Sequence, residues 1–127
     1  MTLNCNKKIK QKMKYKLIRK DEIAEKEKFG VNFNVYPNIG DCGIVLETTP
    51  EGHNQEFYNK ESTFTYIVLS GSGSFFLDNE EINVTEGDCI SIIPNTRIYF
   101  KGKLKMLLIT NPAWKPEDEI ETRNRVW

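Results

Sequence analysis

The chain has 127 residues, 39% of them apolar and 28% charged, and its 18 Lys and Arg balance 18 Asp and Glu to a formal charge of zero. That length supports one domain around one core and excludes two comfortable ones. The sequence has no apolar run of about 18 residues, as a membrane-spanning helix would need; its opening, "MTLNCNKKIKQKMKYKLIRK", lacks the apolar stretch and small-residue cleavage site of a secretory signal, so a cytoplasmic protein is expected.

Charge is unevenly placed. Residues 1–20 carry eight Lys or Arg and no acid, which leaves ten bases against eighteen acids in the remainder. A basic head without interleaved aromatics reads as a solvated arm, so residues 1–12 are expected to be a flexible extension, with no nucleic-acid or membrane partner. Cys5, Cys42 and Cys89 are odd in number and show no C-x-x-C spacing, which argues for reduced thiols over a disulfide framework or zinc ribbon. Cys42 and Cys89 sit in apolar runs and read as small buried hydrophobes.

From residue 14 the segment "KYKLIRKDEIAEKEKFG" reads as a short strand followed by a turn or helical turn ending at Gly30. "VNFNVYP" and "CGIVLETTP" alternate apolar with other residues, and each is expected to stop at its proline. Beyond Pro50 come "HNQEFYN", "TFTYIVLS", "GSFFLD", "EEINV", "CISII", "RIYF" and "LKMLLIT", separated by turn signals that include GSG, DNE, TEGD, PNT and KGK. Short strands at close intervals with no helical period predict an all-β sandwich or barrel. Residues 13–111 form the expected barrel and 112–127 a C-terminal arm, with a helical turn after Pro116 and Trp114 packed on the barrel or a second subunit.

The stretch "YIVLSGSGSFFLDNEEINVTEGDCISIIPNT" resembles the cupin superfamily of small jelly-roll barrels. "VLSGSG" resembles the turn after the third barrel strand, "EGD" the glycine opening the second cupin motif, and "IIPNT" the turn after it. Gly71 and Gly73 are read as a tight hairpin that needs positive φ or close backbone approach. The resemblance implies a cupin-like jelly-roll β-barrel, and a homodimer that covers the sheet edges.

Metal-dependent cupins hold their ion with three histidines and one glutamate. This chain has one histidine. Aligned on Pro50, Gly71 and the "IPN" turn, the four ligand positions fall on Phe57, Asn59, Phe64 and Ile98. Phe and Ile offer no lone pair and a divalent ion needs three or more donors, so neither metal nor other cofactor is expected. An improvised zinc site from Cys42, His53, Glu56 and Cys89 has no spacing to specify it.

Strand alternation adds Tyr66, Val68 and Phe100 to Phe57, Phe64 and Ile98 as inward-facing residues. The interior then reads as an apolar, aromatic-lined cleft for a small molecule, carbohydrate-like ligands included, or as a filled core. His53, Gln55 and Asn59 share parity with Phe57, so the expected ligand-binding set is Gln55, Phe57, Asn59, Phe64, Tyr66, Ile98 and Phe100, with His53 as the candidate catalytic base. Three readings stay open: a non-metal small-molecule binder, a metal-independent sugar isomerase or epimerase using His53, and a structural barrel without a ligand. A partly exposed His53 in the turn "PEGHNQ" is the bland counterpart of the first two.

Overall fold

In a computed structural model, residues 14–125 are described. The basic segment 1–12 therefore lies outside the described residues, as does Cys5. Among the described residues there are nine strands and two 3-10 turns, at Lys20–Glu22 and Pro116–Asp118. The strands are β1 (Glu25–Lys28), β2 (Val31–Ile39), β3 (Cys42–Thr49), β4 (Gly52–Asn59), β5 (Thr63–Leu77), β6 (Glu80–Thr85), β7 (Cys89–Ile92), β8 (Ile98–Asn111) and β9 (Glu119–Asn124). Every pairing is antiparallel. No described helix is long and apolar enough to cross a membrane.

The two long strands organise the molecule. β5 and β8 pair from Thr63↔Asn111 to Leu77↔Ile98. One half of this ribbon takes β7 on the β5 side and β3, β2 and β1 on the β8 side. The other half takes β6 on the β5 side and β4 and β9 on the β8 side. The sheet thus folds into two leaves that share the ribbon and close on one core, the all-β barrel that the strand pattern predicted.

The glycines work differently from the expectation. GSG and KGK are not hairpin turns; they lie inside β5 and β8, where Gly73 faces Gly102 in register. Gly102 has φ +134°, and a Cβ there would stand 2.6 Å from the Ser72 carbonyl oxygen. A Cβ on Gly71, at φ +92°, would collide with the Lys103 carbonyl oxygen. The backbones approach closely at the bend between leaves, which is why side chains are missing there.

Other local expectations are also corrected. Strand β2 runs through Pro37 to Ile39, with its register shifting between Tyr36 and Ile39, since proline is tolerated where the ladder is already broken. The segment before Gly30 is a 3-10 turn and then β1, joined to β2 by Phe29 and Gly30 at φ 55° and 83°. The C-terminal arm has its helical turn at Pro116, but then adds β9 to β4. Neither cysteine is a buried hydrophobe: Cys42 is half-buried and Cys89 exposed, each being the first residue of its strand.

Alternation did locate the core. Phe57, Phe64, Tyr66, Val68, Ile98 and Phe100 are each at most 4% exposed and pack with Val31, Phe75, Leu104 and Met106. Aromatic rings dominate it, with centroid separations of 4.9 Å for Tyr66–Phe75 and 5.0 Å for Phe75–Phe100. Such pairs add roughly 0.5–1.5 kcal/mol each beyond the area they bury.

Candidate functional site

His53 is held by two tight turns. At the β3–β4 turn the Thr49 hydroxyl accepts from the Gly52 amide at 2.8 Å and donates to the Gly30 carbonyl at 2.8 Å, fastening the β1–β2 turn to the β3–β4 turn. Gly52, at φ +121°, lets β4 begin against the Phe100 backbone, and His53 then pairs with Phe100. The imidazole lies among three phenylalanine rings, with centroids 5.3 Å from Phe29, 5.0 Å from Phe57 and 5.6 Å from Phe100. It is buried, and Nδ1 has no hydrogen-bond partner. Burial pushes its pKa down from 6.5 to about 4, so the ring is neutral at neutral pH and can accept a proton.

Beside it opens a cavity of about 250 Å³. Its walls include Phe33, Glu47, Phe57, Phe64, Tyr66 and Thr110, while the exposed Lys26, Lys28, Asn38 and Trp114 lie at its rim. Glu47 stands mid-strand in β3, in register with Phe33 of β2 and Met106 of β8, and is only 3% exposed. Its Oε1 has no hydrogen-bond partner. Burial, reinforced by the charge of Glu119, raises its pKa to about 8, so this carboxyl keeps its proton at neutral pH. Glu119 is also raised by burial, against the opposing hydrogen bond from Trp114 Nε1 at 2.7 Å. The Tyr66 phenol is raised well above its ordinary value by burial and then by the nearby carboxyls. A base and an acid with pKa values pushed apart across neutrality therefore line one apolar cavity.

The expected site residues divide. His53, Phe57, Phe64 and Tyr66 line the cavity. Phe100 and Ile98 stand outside its lining, as core packing behind His53 and Phe57. Gln55 and Asn59 stand outside it too, although both are buried. The Gln55 amide donates to the Glu56 and Arg123 carbonyls, each at 3.1 Å, and Asn59 Oδ1 accepts from the Glu61 and Ser62 amides at 2.9 and 2.7 Å. The register of β4 shifts between His53 and Phe57 against β8 and between Gln55 and Phe57 against β9, which defeats simple alternation. Glu56, on the same stretch, is buried and held by Thr122 and Arg123 of β9.

Sequence reasoning missed Glu47. Its signal was a lone charge amid the apolar run "CGIVLETT", at the parity of Val45 and Thr49. The four positions that the motif alignment assigns to ion ligands do not suit one: Phe57, Phe64 and Ile98 lack donors, and the Asn59 oxygen already accepts two amides. Among the described residues no three of His, Cys, Asp and Glu are grouped to hold a metal ion, so Cys42, His53, Glu56 and Cys89 do not assemble.

No family model matches the chain. An uncharacterised protein of Aquifex aeolicus (strain VF5) is 28% identical over 108 residues, which cover 82% of this chain and 85% of that protein. Streptomyces Pac13, a β-barrel nucleoside dehydratase, is 35% identical and superposes with a TM-score of 0.85 over 90% of this chain and 95% of that one. The chain belongs to the cupin superfamily. Ectoine synthase from P. lautus shares the cupin's fold at 12% identity, with a TM-score of 0.69 over 89% of this chain and 94% of its own. Pac13 has also been solved with uridine, in variants that replace a histidine by glutamine or one of two tyrosines by phenylalanine.

Proposed function

We propose that this cupin binds a nucleoside in the cavity beside His53 and eliminates water from it, with His53 as the base. The observation that carries this reading is a neutral imidazole, buried among Phe29, Phe57 and Phe100 with its Nδ1 unpartnered, on a residue that lines an apolar cavity. The substituted histidine and the nearer substituted tyrosine of Pac13 are thirteen positions apart, as are His53 and Tyr66. Counting forty-seven positions on from the histidine to the second tyrosine ends here on Phe100, which has no hydroxyl.

Chemistry narrows the substrate. A neutral imidazole of low basicity removes a carbon-bound proton only where a neighbouring carbonyl acidifies it. The substrate class is then a nucleoside with a carbonyl beside that C–H and a hydroxyl one carbon further on. Flat rings suit the aromatic wall of Phe33, Phe57 and Phe64. A cavity of about 250 Å³ sits at the small end of ligand sites, which usually begin near roughly 300 Å³. It supports a ligand over a filled interior. Sugar isomerisation or epimerisation would share the first proton transfer and differ in where the proton returns.

The same proposal takes the reaction to need no metal at Phe57, Asn59, Phe64 and Ile98, and takes the protein to be a cytoplasmic homodimer. Leu46, Ile67, Leu107 and Ile109 neighbour one another on the outward face of the β3–β8–β5 leaf, an apolar strip for a second copy to cover. Sedimentation equilibrium tests that part.

The deciding experiment is calorimetric titration with uridine, followed by proton NMR of such a carbonyl nucleoside with the protein and with His53→Gln. Uridine binding, an olefinic product, and turnover lost in the variant are expected. Full turnover in His53→Gln would refute the assignment.

A further inference from the structure

We propose that Glu47 is the proton donor of this site, protonating the hydroxyl that leaves after His53 has taken a proton from the adjacent carbon. The inference rests on the dehydration reading and deepens it. Two buried polar atoms without partners, His53 Nδ1 on β4 and Glu47 Oε1 on β3, belong to residues that line one cavity. A buried polar atom left unpaired lowers stability, and a ligand that pairs with both removes that penalty.

Elimination needs both roles, the base first and then the acid. The C–H electron pair moves, by way of the enolate, into the new double bond as the C–O bond breaks. The Glu47 proton goes to the leaving oxygen, and the products are an unsaturated nucleoside and water. The proton taken by His53 returns to Glu47 through solvent at the cavity rim, so the cycle needs no oxidant or second reactant. Hydroxyls of Tyr36, Tyr66 and Thr110 also line the cavity; the acidity of the buried Tyr66 phenol is weakened further by burial, whereas Glu47 keeps a more acidic proton up to about pH 8.

The titratable groups lining the cavity with Glu47 come from every wall. They are Lys26 and Lys28 of β1, Tyr36 of β2, His53 of β4, Tyr66 of β5 and Glu119 of β9. From β8 the cavity receives Leu108 and Thr110, which do not titrate. Glu119, whose carboxyl is also raised by burial, shares the lining, so the alkaline change is assigned to Glu47 by its loss in Glu47→Gln.

Glu47→Gln preserves shape and a donor while removing the transferable proton. The ligand-free protein should show a protonated-carboxyl infrared band that titrates away near pH 8 and is missing from Glu47→Gln. Uridine affinity in the variant should stay within about threefold of the parent at pH 7, while turnover falls on the order of 100-fold or more. The alkaline limb near pH 8 should disappear from the residual turnover. Absence of the band, or turnover within threefold of the parent, would overturn the inference. Turnover lost in His53→Gln but full in Glu47→Gln would leave the dehydration reading standing and sink only the role of Glu47. Failure of the parent protein to bind uridine would overturn both.

Discussion

Replacing His53 by phenylalanine should make the protein more stable in acid, because the imidazole is held in a place that suits a hydrocarbon ring. In the folded chain its pKa is about 4 against 6.5 for an unperturbed histidine. As pH falls below 6.5 the unfolded chain takes up this proton first, so folding loses stability from 6.5 down to 4 and no further below that. At ~1.36 kcal/mol for each tenfold change in proton affinity, the difference amounts to about 3 kcal/mol, most of it between pH 7.5 and pH 4.5. His53 is 7% exposed, so solvent screening reduces this little. Lys28 and Glu121, the charges that act on the ring, pull in opposite directions. Urea unfolding of both proteins at pH 7.5 and 4.5 measures the difference, expected as a urea midpoint gap that widens by on the order of 1–2 M at the lower pH. A gap that stays constant to within 1 kcal/mol would mean that the imidazole is solvated in the folded chain, and the argument for a poised neutral base would fall with it.

Gly102→Ala should lower the urea midpoint steeply, since a Cβ 2.6 Å from the Ser72 carbonyl at φ +134° forces the β5–β8 ribbon apart at its bend; unchanged stability would refute the close approach. Arg123→Met should destabilise the fold and mobilise β9, detected as faster hydrogen exchange at Tyr58 and Ile120. The reason is that burial raises the Glu56 pKa while hydrogen bonds from Arg123 and Thr122 more than offset it, so the buried carboxylate needs its partner. That stabilisation is present above pH 4.5 and fades as pH falls through the depressed value. Uridine at 100 times its Kd should raise stability by about 2.7 kcal/mol, read as a thermal shift that His53→Gln retains if the histidine acts in chemistry more than in binding.

Strand existence and core membership were legible because alternation fixes which side chains share a face, and Phe57, Phe64, Tyr66 and Phe100 obeyed it. The turn between leaves was not, because glycine signals both a hairpin and a backbone crossing, and only the partner of Gly73 tells them apart. His53 stood out by its rarity, being the one histidine. Gln55 and Asn59 were misplaced where two register shifts in β4 break the period of two. Glu47 escaped notice because Ile44 and Leu46, at the opposite parity, made the strand look like core on the wrong face. Which strands flank β3 decides that matter, and no local pattern contains it.

Because β5 and β8 run through both leaves, neither leaf can assemble alone. Their contacts join Thr63 to Asn111, a separation that makes loop closure the slow step and places folding toward the millisecond-to-second range of β-rich domains. During synthesis the first seven strands emerge with half their ladder unmatched, and they gain a common wall only when β8 leaves the ribosome. The barrel is thus a single cooperative unit, completed by a late-arriving strand rather than built one leaf at a time.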